Sequence, residues 1–267
     1  MTMAEEITTR ELLGVDFALT GYEGALGRIA AAIAAQDRAY ACCTSVHGLM
    51  TAQRDPELAA ALHGADLNLP DGMPVVWALN LLAEGRPLRD RVYGPKLMEL
   101  ACERAAAEGW SVYLYGGHDN AALRELKTGL RRRAPALKIA GAWSPPHREL
   151  TADEEGEVAA RIDEASPGIV WCGISTPRQE KWVARLRPRL RAPVLVSVGA
   201  AFDFLAGRAS QAPGWMQRRG LEWAYRLGRE PRRLGPRYLR NNPAFVAAVA
   251  RQYARERRGR ISPGGAQ

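Results

Sequence analysis

The sequence predicts an α/β fold: a Rossmann-like, mostly parallel sheet with helices on both faces, followed by a C-terminal helical basic appendage. Three observations carry this. Short apolar runs rich in Val, Ile, Tyr and Cys alternate with segments of helical periodicity, the pattern of βαβ units. The 267 residues, 47% hydrophobic and 25% charged, have an ordinary globular composition and can bury a sizeable core. Several predicted strands end in small or polar residues, and such sheets bind ligands beyond the carboxyl ends of their strands.

Residues 1–12 are polar and read as a flexible tail, 13–207 as the α/β core and 208–267 as the appendage. The predicted strands are Tyr40–Val46, Ala65–Leu69, Ser111–Tyr115, Leu137–Ala142, Gly168–Ile174 and Pro193–Val198. The predicted helices are Gly21–Ala35, Pro56–His63, Lys96–Glu108, Asn120–Arg133, Ala152–Ala165 and Gln179–Arg189, and Pro177 suits the loop leading into the last. A final helix is expected over Pro243–Arg258, started by Asn242-Pro243, with Phe245, Val246, Val249 and Tyr253 on one face. That face fits either an anionic membrane or the protein's own core. There is no internal repeat and no low-complexity linker.

Several classes are excluded or disfavoured. No apolar run approaches the roughly 18 to 20 residues of a spanning helix, and MTMAEEITTR has no basic start followed by an apolar stretch, so no secretory signal is expected. Four cysteines without a C-x-x-C pair suit a reducing, cytoplasmic setting. The four histidines are scattered, which disfavours zinc. Neither G-x-S-x-G nor a P-loop occurs, and G-x-G-x-x-G is missing, which argues against a hydrolase elbow, a P-loop ATPase and a dinucleotide enzyme. No D-x-D pair is present to hold a divalent metal against a diphosphate. Arginine and backbone N–H groups would have to meet such a charge instead.

The net charge of +8 is unevenly spread. Residues 208–267 hold 14 Arg, no Lys and only Glu222, Glu230 and Glu256, a surplus of 11, which leaves the rest at −3. A GC-rich genome explains Arg over Lys throughout, 33 against four, but not the scarcity of acids at the end. About 1 kcal/mol per basic residue near an anionic leaflet favours a membrane surface as partner of this segment.

Five strand ends supply candidate site residues. The first runs through Cys43-Thr44-Ser45-Val46-His47. Asp71 follows the second, placed either as a general base or as the cap of a helix from Met73. Gly116-Gly117 ends the third, either a close backbone approach to an anion or a tight connection. Gly173-Ile-Ser-Thr-Pro-Arg-Gln-Glu180 follows the fifth, where Arg178 and Gln179 could read phosphate or base edges or simply open a helix. Ala201-Phe202-Asp203-Phe204 follows the sixth and sets a carboxylate between two aromatics, for ribose hydroxyls or for a turn.

Asp71-Gly-Met-Pro, Arg91-Val-Tyr-Gly94, Tyr115-Gly-Gly117, Thr176-Pro-Arg-Gln-Glu180, Gly199-Ala-Ala-Phe-Asp203 and Gly220-Leu-Glu-Trp-Ala-Tyr-Arg-Leu-Gly-Arg-Glu-Pro231 occur in that order. From about Thr44 to Asn242 the chain resembles the WecG/TagA/CpsF glycosyltransferase family, most distinctively over Trp215–Tyr238. The resemblance implies transfer of a sugar from a UDP-sugar to a polyprenyl-diphosphate-linked saccharide, in cell-surface polysaccharide synthesis on the inner face of the plasma membrane. It implies Asp71 as catalytic base and Arg91 as an aid to the diphosphate leaving group. Nucleotide-sugar contacts are expected from Ser45, Gly116, Gly117, Gln179, Phe202 and Asp203. Arg226, Arg233 and Arg237 are expected at the acceptor diphosphate and membrane. A single base with no second carboxylate nucleophile suits inversion, and no metal or other cofactor is expected. Related enzymes move N-acetylmannosamine, its uronic acid or glucose-type sugars, so the donor sugar stays open, as does a homo-oligomer.

One departure stands out. The family usually has Thr-x-Asn after the first strand, where this chain has Cys43 and Ser45 with Thr44 between them. Either Ser45 and Thr44 take over the hydrogen bonding or substrate choice differs; Cys43 is not expected to be catalytic. The rival readings are a nucleic-acid-binding protein using the basic appendage as its footprint and another nucleotide-dependent Rossmann-like enzyme. No recognition motif supports the first, and the missing dinucleotide fingerprint counts against the second, so nucleic acid is not expected as a partner.

Overall fold

The computed structural model describes residues 7–83, 85 and 87–261, without the side chains of Arg218, Arg233 and residues 259–261. Eight strands form one sheet: β1 (Thr9–Leu12), β2 (Val15–Ala18), β3 (Ala39–Thr44), β4 (Leu67–Pro70), β5 (Ser111–Gly116), β6 (Lys138–Trp143), β7 (Ile169–Gly173) and β8 (Val194–Ser197). Their order is β1-β2-β4-β3-β8-β7-β5-β6. Only the β1–β2 pair is antiparallel. The predicted mostly parallel sheet is therefore observed, and each of the six predicted strands lies within one or two residues of an observed one.

Period-two alternation divides the core. In β3 all six residues are buried; Ala39, Ala41 and Cys43 face one apolar layer, Tyr40 and Cys42 the other. The first layer is covered by α1 (Tyr22–Ala35), α5 (Gly94–Glu108) and α6 (Asn120–Arg133), through Ile29, Leu97 and Leu126 among others. The second is covered by α2 (Val46–Ala52), α3 (Pro56–His63), α4 (Met73–Leu82), α7 (Ala152–Ala165) and α8 (Arg178–Leu186). Asp55, Asp119 and Thr151 accept backbone N–H groups at the starts of α3, α6 and α7, which fixes those helices where the sequence predicted them.

Two expectations are corrected. Residues 9–12, assigned to a flexible tail, form edge strand β1. Their polar Thr-Arg-Glu run gave no apolar alternation, and the pairing rests on a turn in which Leu13 and Gly14 have φ of 52° and 81°. Asn242-Pro243 does not start the last helix. After the short helices α9 (Ala201–Leu205), α10 (Gly214–Arg218) and α11 (Glu222–Arg229), one helix, α12, runs over Pro231–Ile261 with Pro236 and Pro243 inside it. Each proline removes one helix N–H, but Leu234, Phe245 and Val249 on either side are buried. Phe245 and Val249 belong to the second apolar layer, with Tyr253 packed at its margin, so these three serve the core, while Val246 between them is 65% exposed.

Candidate active site

The chain leaves β3 for β4 on one side and reaches β8 on the other only after building β5 to β7. The crevice beyond their carboxyl ends is thus a topological switch point. A cavity of about 970 Å³ opens there, roofed by α11 and the first half of α12. Its lining includes Ser45, Asp71, Gly117, Gln179, Phe202 and Asp203 from the sheet edge, with Arg91 beside them and Arg226 and Arg237 from the appendage.

Asp71 sits one residue beyond β4, where its N–H donates to the Thr44 carbonyl at 3.1 Å. Gly72, with φ of 138°, turns the chain so that α4 starts without a side-chain cap; Asp71 is not that cap. Asp71 lines the cavity, and the Gly94 backbone N–H nearby favours its ionised form. Asp71 keeps part of its surface open, yet protein encloses it closely enough that loss of hydration pushes its carboxyl up to about 7. Arg91 and Arg226 pull the other way and Glu222 adds to the rise. A carboxylate tuned close to neutrality suits proton abstraction at cellular pH.

Arg91 is only 8% exposed. Its guanidinium lies 4.2 Å from the centre of the Tyr93 ring, and Nη2 donates to Glu222 Oε2 in a buried ion pair. Sequence reasoning placed Arg91 at the site but missed Glu222. The available signal was its presence as one of three acids in a segment otherwise stripped of them.

The glycine pair divides in two. Gly116 is buried and pressed against β7, where a Cβ would meet the Gly173 carbonyl oxygen at 2.4 Å. Gly117 reaches the cavity, and its N–H donates to that same carbonyl at 3.2 Å. The close connection and the open approach are therefore both present, one at each residue. Phe202 is buried, with its ring against Gly173, while Asp203 stands nearer solvent, 3.9 Å from His118 Nε2.

Gln179 is fully buried, and its amide is occupied: Oε1 accepts the Gly199 N–H at 3.0 Å and Nε2 donates to Glu180 Oε1 at 2.8 Å. It ties the end of β8 to α8. Glu180, also accepting from Thr176 Oγ1 at 2.9 Å, is buried, and burial raises its carboxyl above the usual range. Ser175, between them and β7, holds a left-handed φ of 71°. Strain of that kind costs about 1 kcal/mol or more and concentrates at functional loops.

At the end of β3, Ser45 lines the cavity, whereas Thr44 is 1% exposed and turns to the Cys42 carbonyl at 3.5 Å. Of Thr44 and Ser45, only Ser45 lines the cavity. Cys43 lines the cavity, but burial pushes its thiol well up, so it stays a protonated thiol. His47, the last of the residues the sequence placed at this strand end, is held down to about 4 by burial and by Arg237. Its Nδ1 lies 3.2 Å from Asn241 Nδ2, which links α2 to α12 with a neutral ring.

Arg226 extends from α11 over the Phe204 ring at 5.9 Å, and Arg237 from α12 near Tyr238 at 5.7 Å. The Arg233 side chain lies outside the described residues. Four large apolar side chains at the cavity, Trp77, Leu81, Trp223 and Val246, are each between 41% and 65% exposed. Among the described residues no group of three His, Cys, Asp or Glu side chains could hold a metal ion, and no helix is long and apolar enough to cross a membrane.

A nucleotide-sized crevice at a switch point, with one near-neutral carboxylate and several guanidiniums, defines an α/β group-transfer enzyme. Comparison narrows the class. Residues 10–259 match the Glycosyl transferase WecG/TagA/CpsF family. The N-acetylglucosaminyldiphosphoundecaprenol N-acetyl-beta-D-mannosaminyltransferase of Bacillus spizizenii is 31% identical over 198 residues, 74% of this chain and 73% of that protein. The enzyme of the same name from Staphylococcus aureus strain MW2 is 28% identical over 264 residues, 94% of this chain and 96% of its own. The chain belongs to the WecG/TagA/CpsF family and is a glycosyltransferase.

Proposed function

We propose that this enzyme transfers N-acetylmannosamine from a UDP-sugar to N-acetylglucosamine carried on a polyprenyl diphosphate, with inversion and without a metal ion. The carrying observation is Asp71, a carboxylate held near neutrality on the floor of the cavity. Sugar and acceptor follow the names of the two relatives.

Asp71 takes the proton from the acceptor hydroxyl as its oxygen attacks the anomeric carbon. The bond from that carbon to the diphosphate oxygen breaks, and UDP leaves with the electron pair. Arg226, Arg237 and the backbone around Gly117 meet the developing charge, as fixed donors in a closed site do most effectively. Arg91 contributes from behind its pair with Glu222. Gln179 is a positioning residue for the β8 turn, and Asp203 the candidate for ribose hydroxyls. The exposed Trp77, Leu81, Trp223 and Val246 give the opening an apolar rim suited to a lipid carrier and to peripheral attachment at the inner face of the plasma membrane.

The test is transfer from UDP-N-acetylmannosamine to a short-chain prenyl-diphosphate N-acetylglucosamine, with the product anomer read by NMR. An inverted product whose yield survives chelator is expected. A retained anomer, loss of transfer on chelation, or preference for another donor sugar overturns the corresponding part of the proposal.

A further inference from the structure

The buried pair Arg91–Glu222 joins the α/β core to the appendage at the rim of the cavity that Asp71 faces. Arg91 and Glu222 are 8% and 6% exposed, and Arg91 is further fixed over the Tyr93 ring. Such pairs add little net stability, because desolvation offsets their attraction. Their geometry carries the inference. Arg91 lies on the loop that runs alongside β4, with the Val92 N–H donating to the Pro70 carbonyl at 3.0 Å, one residue before Asp71. Among the described residues, the carboxylate that Arg91 engages is Glu222 and not Asp71. Arg226 lies one helical turn beyond Glu222 on α11, so the contact that holds Arg91 also sets Arg226 over the cavity.

We propose that Glu222 is a positioning residue for the transfer reaction. By holding the Arg91 guanidinium on α11 it keeps that cation from closing onto Asp71, and it presents Arg226 to the ligand. This rests on the reading of Asp71 as the base. The charged and titratable groups around Asp71 are Arg91 and Tyr93 from the loop before α5, Glu222 and Arg226 from α11, Cys43 from β3 and Tyr22 from α1. Removing the Glu222 charge leaves the cations near Asp71 unopposed, and Asp71 ionises more readily. An appendage missing only a tether would bind substrate less well with the acidity of Asp71 unchanged.

The experiment uses the full chain carrying Glu222→Gln, alone and combined with Arg91→Gln. Two readouts are taken: the pH profile of kcat/KM, and the 13C titration of the Asp71 carboxyl by NMR, which needs no turnover. The expected result is an acid limb and a carboxyl titration displaced about one pH unit lower in Glu222→Gln, a tenfold change in proton affinity. Glu222→Asp, which keeps the charge but stretches the pair, should show a smaller displacement in the same direction, and Arg91→Gln should abolish the part that acts through Arg91. An unmoved titration in folded Glu222→Gln overturns the proposal. If Glu222→Gln does not fold, an unmoved titration in Glu222→Asp, whose shorter side chain stretches the pair, overturns it equally. Asp71→Asn in the same assay separates the two claims: full transfer without the carboxylate sinks the base reading, while its loss beside an unmoved titration sinks only the role of Glu222.

Discussion

Between β3 and α9 the sheet buries Leu, Val, Ile and Trp on both faces, and buried polar groups such as Gln179 and Arg187 bond within that same region, Gln179 to Gly199 and Glu180, Arg187 to the Ala39 and Ala192 carbonyls. From residue 208 onward the described residues bury Ala212, Leu234, Phe245 and Val249, and beside them three large polar side chains, Glu222, Asn241 and Gln252. Each of those three reaches back into the core. Glu222 pairs with Arg91, Asn241 meets His47, and Gln252 accepts the Leu13 N–H at 2.9 Å while donating to the Glu11 carbonyl at 3.2 Å. A segment held by directional polar contacts and few apolar ones can be altered at its site face without unfolding the sheet. The core holds Asp71, the proposed base; the appendage brings Arg226, Arg237, Trp223 and Val246 to the same cavity.

The largest expected effect tests the core's chemical contribution. Asp71→Asn should lower kcat/KM by about 10²- to 10⁴-fold, the span of general-base catalysis, while the fold gains. The Asp71 carboxyl ionises near 3.8 when unfolded and at about 7 when folded. Its folded pKa is raised, so wild-type stability falls as pH rises from about 4 to about 7 and is level above. At about 1.4 kcal/mol per pH unit the cost is at most ~4 kcal/mol. The variant should therefore melt higher than wild type at pH 8 and alike at pH 3.5, as calorimetry would show. Equal melting at both values would mean that the carboxylate is solvated and not tuned. The wild-type kcat/KM profile should rise through an acid limb near 7.

Next comes Leu114→Ala, at a fully buried position in β5. A cost of about 2–5 kcal/mol is expected, with activity falling only as the folded fraction falls. Smaller still, Arg226→Ala should lower kcat/KM roughly 100-fold, the scale of losing one donor to a developing negative charge, with an unchanged melting temperature. If Arg226→Ala instead unfolds the protein, the proposed division between a self-sufficient core and a site-serving appendage is wrong.

Legibility in the sequence follows the same division. Where structure depends on periodicity and local caps, the sequence shows it: α3, α6 and α7 were predicted with the observed ends. Asp71, Gly117 and Asp203 were legible because strand ends converge in any parallel sheet, and all three line the cavity. Features set by distant contacts were not. Strand β1 is recognisable only from its partner β2, and α12 continues through Pro236 and Pro243 because of what packs beside it. Glu222, 131 positions from Arg91, has no local signature of its partner. Gln179 reads as a ligand contact from its motif; it lines the cavity, but its amide already bonds Gly199 and Glu180, contacts its motif does not reveal.

The smallest effect on stability tests the appendage at its surface. Trp223 is 41% exposed and makes an edge contact with Tyr238, with ring centres 6.2 Å apart. Trp77, across the cavity mouth, is 51% exposed and lies where any side chain at Gly220 would strike it, within 2.7 Å. Two large aromatics left in water on facing elements are costly unless something apolar covers them in use. Trp223→Ala should change unfolding free energy by no more than about 0.5 kcal/mol and leave turnover of a water-soluble, short-chain acceptor nearly intact. Sedimentation with anionic vesicles should weaken, and long-chain acceptors should show a raised KM. If vesicle binding is unchanged while short-chain turnover collapses, Trp223 serves the sugar site and the rim does not face lipid. The apolar faces of α4 and α11 would then need a different explanation from the one their exposure suggests.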